Sequence, residues 1–270
     1  METLELKKLL LEIGDSVHSM NTIAVGLSKL KIDNCDIPEG LDISWKPKDL
    51  DKSKKKARRY AEKAAVIYSV ESFFEYLESI STNPLWIHDE INFKGDDKKA
   101  QKVHNFLSKI PAIKRKNEFL ILSELACHWR NKIVHSNASR AKLSSNKIDK
   151  LKKMKEYIYD NYHHFDIDLA LKNYEEKKIT LKDSSTLITF LIKSARLIDE
   201  FFFRELSLDN SSSKLVYNIY EKSDFIRIFK QQDSEKRDRQ ISTYIYMNFP
   251  FLDSKYLEKI IDKIKTKPRP

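Results

Sequence analysis

A chain of 270 residues with 41% hydrophobic content is long enough to bury a core as one large or two small domains, which argues against disorder. Four glycines and seven prolines set against 33% charged residues disfavour a turn-rich β protein and leave an all-α fold as the expected class. The formal charge of +10 implies attraction to polyanions, nucleic acid above all.

The N-terminus lacks the basic-then-apolar order of a secretory signal, and no run of about 18 apolar residues occurs. A soluble, cytoplasmic protein with no membrane partner is therefore expected. Cys35 and Cys127 stand apart without metal-type spacing, so reduced thiols are expected rather than a disulfide framework.

In chain order, Leu6, Leu9, Ile13, Val17, Met20, Ala24 and Leu27 recur at three- and four-residue steps, which predicts a first long helix ending before Asn34. Pro38, Gly40 and Pro47 then break regular structure, and Trp45 is expected to pin that loop to the core. A second helix is predicted from Ser53 to Ser81, with Val66, Val70, Phe73, Leu77 and Ile80 as its core seam. Its opening run Lys54, Lys55, Lys56, Arg58 and Arg59 opposes the helix dipole, so it reads either as a phosphate contact for RNA or as a solvated helix end.

Residues 82–97 read as an irregular connection, followed by a short helix to Ile110 and a third long helix from Asn117 to Asn137. Further helices are predicted from Lys147 to Tyr162, from Ser184 to Leu206 behind a Ser184/Ser185 capping signal, and in short pieces after Ser211. The cluster from Lys147 to Lys155 is a second candidate phosphate contact, and the tail after Lys263 is expected to fray. The division expected is a domain over 1–206 and a basic helical extension over 207–270.

The third long helix carries the most information. With Leu122 as reference and about 100° per residue, Leu125, Ala126, Trp129 and Ile133 fall within roughly 60° of it and define a core face. Glu124, His128, Asn131 and His135 follow the opposite face, and Arg130 and Val134 sit on the shoulder. Cutting RNA through its own 2′-hydroxyl needs a group that exchanges protons near neutral pH and a cation that stabilises the crowded phosphate. Histidine and arginine meet both needs without a metal.

The segment Arg130-Asn-Lys-Ile-Val-His135 resembles the motif of the HEPN superfamily of helical ribonucleases and their relatives: Arg, a polar residue, three variable positions and His, late in a long helix. The resemblance spans roughly residues 53–206. It implies a HEPN-like helical bundle, with N- and C-terminal helical extensions here, whose two copies face their motifs to form one metal-independent site.

It further implies that His135 is catalytic, that Arg130 stabilises the phosphate and that Asn131 orients the site. Glu71 matches the family's acidic or polar residue on the preceding helix and would fix Arg130, although Glu75 and Glu78 continue the same stripe. His128 lies outside the motif and reads as a supporting or RNA-contacting residue. Asn137 stands where a branch regulated by a nucleotidyltransferase partner carries Tyr, so that regulation is not expected.

No cofactor is implied. His163 and His164 with Asp166 and Asp168 are poorly spaced for one helical face, and Glu124 with His128 lacks a third ligand, so a metal is not expected. The function implied is a homodimeric endoribonuclease, of a kind that acts as a growth-arresting toxin or antiviral-defence effector, with RNA and a cognate antitoxin or regulatory protein as partners. The competing readings are a non-catalytic HEPN-like module that binds RNA or protein and a nucleic-acid-binding regulator, for which no helix-turn-helix with a short glycine-containing turn is found.

Overall fold

The computed structural model describes residues 2–31, 37, 39–83, 86, 88, 90–93, 98–135, 142–206, 216–217, 219–250, 252 and 254–266. Among them lie twelve α-helices and no strand, so the fold is all-α. Cys35, Pro38 and Asn137, with residues 207–215 and 267–270, lie outside the described residues.

The helices are α1 (Leu4–Lys29), α2 (Leu50–Thr82), α3 (Lys99–Lys109), α4 (Pro111–Lys114), α5 (Asn117–Val134) and α6 (Ser145–Lys153). They continue as α7 (Lys155–Asn161), α8 (Ile167–Glu175), α9 (Leu181–Leu206), α10 (Ser223–Phe229), α11 (Ser234–Asn248) and α12 (Ser254–Thr266). No helix among the described residues is long and apolar enough to cross a membrane.

Two compact units arise, one of residues 9–75 and 96–194, the other of residues 1–8, 76–95 and 195–270. The C-terminal helices group with residues 1–8, 76–95 and 195–206.

The expected seam of α2 is buried, Val66, Val70 and Phe73 in the larger unit and Leu77 and Ile80 in the smaller, with Phe73 at 0% exposure. Each such side chain contributes about 1.5–3 kcal/mol by leaving water. Against α2's periodic stripe, α5 is buried on every side from Glu118 to Cys127, which makes it the central helix of its unit. Phe119 meets Phe190 edge-on at 5.4 Å, Trp129 meets Tyr174 at 5.1 Å, and the hydroxyls of Ser123 and Ser194 pair at 3.2 Å.

Several boundaries differ from the expected ones for local reasons. The helix predicted over Lys147–Tyr162 breaks at Met154, whose φ of −102° and ψ of 8° separate α6 from α7. α7 ends at Asn161, with Tyr162 as its cap, and His163 and His164 beyond it adopt left-handed backbone, with φ of 54° and 57°. Asp166 then caps an unexpected helix, α8, by accepting from the Leu169 amide at 2.9 Å.

The start of α9 is set by Thr180 rather than by the two serines. Thr180 Oγ1 accepts from the Asp183 amide at 3.2 Å and Asp183 Oδ2 accepts from the Thr180 amide at 3.0 Å, a reciprocal cap. Ser184 lies buried inside the helix and donates to the Thr180 carbonyl. Trp45 is half-buried while Leu41 and Ile43 are exposed, so that loop is a surface feature rather than one pinned to the core.

In the smaller unit Thr3 donates to Asp199 from both its amide, at 3.0 Å, and its hydroxyl, at 2.5 Å. Burial pushes Asp199 up to about 6 even though both Thr3 bonds favour its charged form. Trp86 stacks on Phe202 at 6.2 Å, and Tyr220, Phe225 and Tyr244 cluster among the C-terminal helices.

Candidate functional site

The sequence places Arg130, Asn131 and His135 on one helix, and the structure shows that they occupy the end where its burial lapses. From His128 onward only Trp129 is fully buried; Arg130, Asn131, Lys132 and Ile133 are half-buried, and Val134 and His135 are exposed. His135 is the C-terminal cap in extended conformation, its amide bonded to the Asn131 carbonyl at 2.9 Å. The helix thus ends at Val134, three residues short of the expected Asn137.

Arg130 is held from two directions. Its Nε lies 2.5 Å from Glu71 Oε1 on α2, and its Nη1 donates to Asn131 Oδ1 at 3.2 Å. Of the three acidic residues on that stripe of α2, Glu71 is the one that meets Arg130, whereas Glu75 and Glu78 are exposed. The other Glu71 oxygen accepts from Lys99 Nζ of α3 at 3.1 Å. One carboxylate therefore joins α2, α3 and α5 and fixes the guanidinium's orientation, leaving part of its donor fork for another anion. No hydrogen bond or ion pair joins the His135 side chain to Arg130 or Asn131 among the described residues.

The other polar residues of α5 do something different from what their face suggests. Glu124 is only 4% exposed, and three side chains converge on it. His104 Nδ1 of α3 stands 2.8 Å away, His128 Nε2 one turn along α5 stands 3.4 Å away, and Lys147 Nζ of α6 donates to both oxygens at 2.8 and 2.6 Å. Burial alone would raise this carboxyl, but the contacts from His104, His128 and Lys147 outweigh it and hold the group well below the usual carboxylate range. His128 is thus turned to Glu124, with its Nδ1 buried and unpartnered among the described residues.

The basic run of α2 is divided. Lys54 donates to the Leu30 carbonyl at 2.9 Å, just past the end of α1, and Arg58 pairs with buried Glu62 at 3.2 Å. Those two charges serve a helix terminus and a buried carboxylate. Lys55, Lys56 and Arg59 are exposed. In the second basic cluster Lys147 is turned inward, because Glu124 holds it.

Lys99 and His104 are not marked by any pattern in the sequence, and together with Lys147 and Lys132 they act across helices. Lys132, one of the motif's variable positions, donates to the Tyr174 carbonyl of α8 at 2.8 Å and sits 3.5 Å above the Tyr174 ring. Cys127 is fully buried, its Sγ 3.3 Å from the Ser123 carbonyl, and burial pushes its thiol up. Among the described residues no group of three or more His, Cys, Asp or Glu side chains is arranged to hold a metal ion.

No family model, curated protein or solved structure matches the chain.

Proposed function

We propose that the protein is a HEPN-type endoribonuclease that cuts RNA through the 2′-hydroxyl. The observation that carries this reading is the guanidinium of Arg130, oriented by Glu71 at 2.5 Å on the open end of α5, five positions before an exposed histidine. A core residue would need neither that exposure nor that fixing, whereas a phosphate-stabilising group needs both.

In the proposed step a neutral imidazole takes the 2′-hydroxyl proton as that oxygen attacks phosphorus, and the bond to the 5′-oxygen breaks. An imidazolium returns a proton to the leaving oxygen, giving a 2′,3′-cyclic phosphate and a 5′-hydroxyl. Arg130 compensates the charge that builds on the phosphate, and Asn131 positions Arg130. Acid and base are then His135 from each of two copies, so the working form is a homodimer with its motif ends apposed. No residue in this scheme needs a metal.

The same reading assigns the protein to the cytoplasm, as a toxin or antiviral-defence effector restrained by a cognate antitoxin or regulatory protein. Its test is cleavage of RNA by purified wild type, His135→Ala and Arg130→Ala in excess chelator, with the product ends sequenced. Wild type alone should yield cyclic-phosphate ends. Undiminished cleavage by His135→Ala would overturn the site, and binding of RNA by wild type without cleavage would make the protein a binding module.

A further inference from the structure

Lys132 lies about 200° around α5 from Arg130 and so faces a different neighbourhood. There α5, α6, α8 and the segment ahead of α6 enclose a cavity of about 300 Å³. Its apolar wall is Leu143, Ile148, Leu171 and Tyr174, and Lys132 and Lys142 bring two ammonium groups to it. Glu175 is the single acidic residue of the lining.

The charge at this cavity is unbalanced. The Tyr174 carbonyl and ring fix the Lys132 ammonium and use one of its three N–H donors. Burial lowers the Lys132 pKa first, and the like charges of Lys177 and Lys142 lower it further, while Glu175 opposes them. An ammonium that is short of water and faced by other ammonium groups gains from an anion more than a solvated lysine does.

Shape narrows the class of anion. The volume is at the small end of ligand pockets, which run from roughly 300 to 1,000 Å³, and so suits one planar ring and its sugar better than an acyl chain. The aliphatic walls take the face of a base, paired lysines donate to its phosphate, and Glu175 accepts from N–H groups on the base edge.

We propose that this cavity is a nucleotide subsite that takes one unpaired ribonucleotide of an RNA strand, its base against Leu143, Ile148, Leu171 and Tyr174 and its phosphate on Lys132 and Lys142. That the strand is one to be cut rests on the reading above, whereas the cavity's affinity for a nucleotide does not. Because Lys132 belongs to the motif helix, a nucleotide seated here places its neighbours along the end of α5, so the subsite selects which position of an RNA is presented there.

The test uses the full chain with labelled isoleucine and leucine methyl groups, titrated with adenosine and uridine monophosphate and then with a 2′-O-methyl tetranucleotide, which cannot be cut. The methyls of Leu143, Ile148 and Leu171 should shift and saturate with the mononucleotides, and the tetranucleotide should displace them. Lys142→Glu changes an exposed side chain and should weaken mononucleotide binding about tenfold or more. Leu171→Trp, with its fold checked by methyl dispersion, should block binding by filling the cavity.

Silent methyls in both titrations, or unchanged affinity in Lys142→Glu, would overturn the subsite. Mononucleotide binding that the tetranucleotide fails to displace would overturn RNA as the source in favour of a free nucleotide. Shifted methyls in a protein that cuts no RNA would keep the subsite and sink the nuclease reading, and RNA cutting with silent methyls would do the reverse.

Discussion

Glu71 Oε1 and Arg130 Nε stand 2.5 Å apart, and the same carboxylate accepts from Lys99 through its other oxygen. The arginine of the motif is therefore oriented by a residue on another helix, and the acidic group is shared by two cations.

Removing that carboxylate separates positioning from stability. Glu71→Ala should lower RNA cleavage by up to about a hundredfold, since small displacements of a fixed group have effects of that size. Both partners are partly exposed, at 33% and 18% for the side chains, so unfolding free energy should fall by no more than about 1 kcal/mol. Urea melts beside cleavage rates check both. Glu71→Gln should recover part of the rate, because an amide oxygen still presents a partial negative charge to the guanidinium of Arg130.

Glu124 predicts the opposite balance. Glu124→Gln leaves Lys147 without its counter-charge in a buried setting and should destabilise the protein by about 3–5 kcal/mol. A carboxyl held below its ordinary value of 4.5 adds stability that is fully present above that pH and is lost as pH falls through the folded value. Wild type should thus lose its advantage over Glu124→Gln on acidification below about 4.5, and parallel acid-unfolding curves would contradict this.

Asp199 runs the other way. Burial raises its folded value to about 6 from an ordinary 3.8, so its contribution is largest below 3.8 and is lost as pH rises through 6. Relative to Asp199→Asn, wild type should lose about 1–3 kcal/mol between pH 4 and 7, given about 1.4 kcal/mol for each tenfold change in proton affinity. Urea denaturation across that range measures it.

The basic residues of α2 should split by role. Neutralising Lys55, Lys56 and Arg59 together should reduce the dependence of RNA affinity on salt, by about 0.7 in logarithmic slope for each single-strand phosphate that is no longer neutralised. Lys54→Ala should leave that slope unchanged and instead weaken the junction with α1, where it holds the Leu30 carbonyl. Binding titrations at several salt concentrations check the first effect, and thermal melting checks the second.

Much of the fold is legible in the sequence because apolar period is a local property: the α2 seam from Val66 to Ile80 is visible there and buried in the structure. Arg130 and Asn131 fall on the predicted helix for the same reason, whereas His135, expected on it too, lies just past its end in extended backbone. Two kinds of feature are not legible. Local caps such as Thr180 with Asp183 are hidden by the more conspicuous Ser184 and Ser185, which lie inside α9.

The second kind is burial of polar groups. Glu124 reads as part of a solvent face because charge normally marks one, and only the arrival of His104 from α3 and Lys147 from α6 makes its burial tolerable. Such partners come from distant segments that no spacing rule on α5 connects. Lys132 looks like an ordinary variable position for the same reason, its partner being a carbonyl of α8.

Packing on every side from Glu118 to Cys127 turns α5 into a lever clamped at its root. From Cys127, where the clamp ends, to the helix end at Val134 is about 10 Å at 1.5 Å per residue, so a tilt of about 4° at the root sweeps the tip by roughly 0.7 Å. That exceeds the roughly 0.5 Å tolerance of a working constellation. Substitutions around Leu122 or Ser123 that leave the protein folded will therefore act at a distance, as aiming errors, and their signature is a fall in rate without a matching fall in melting temperature.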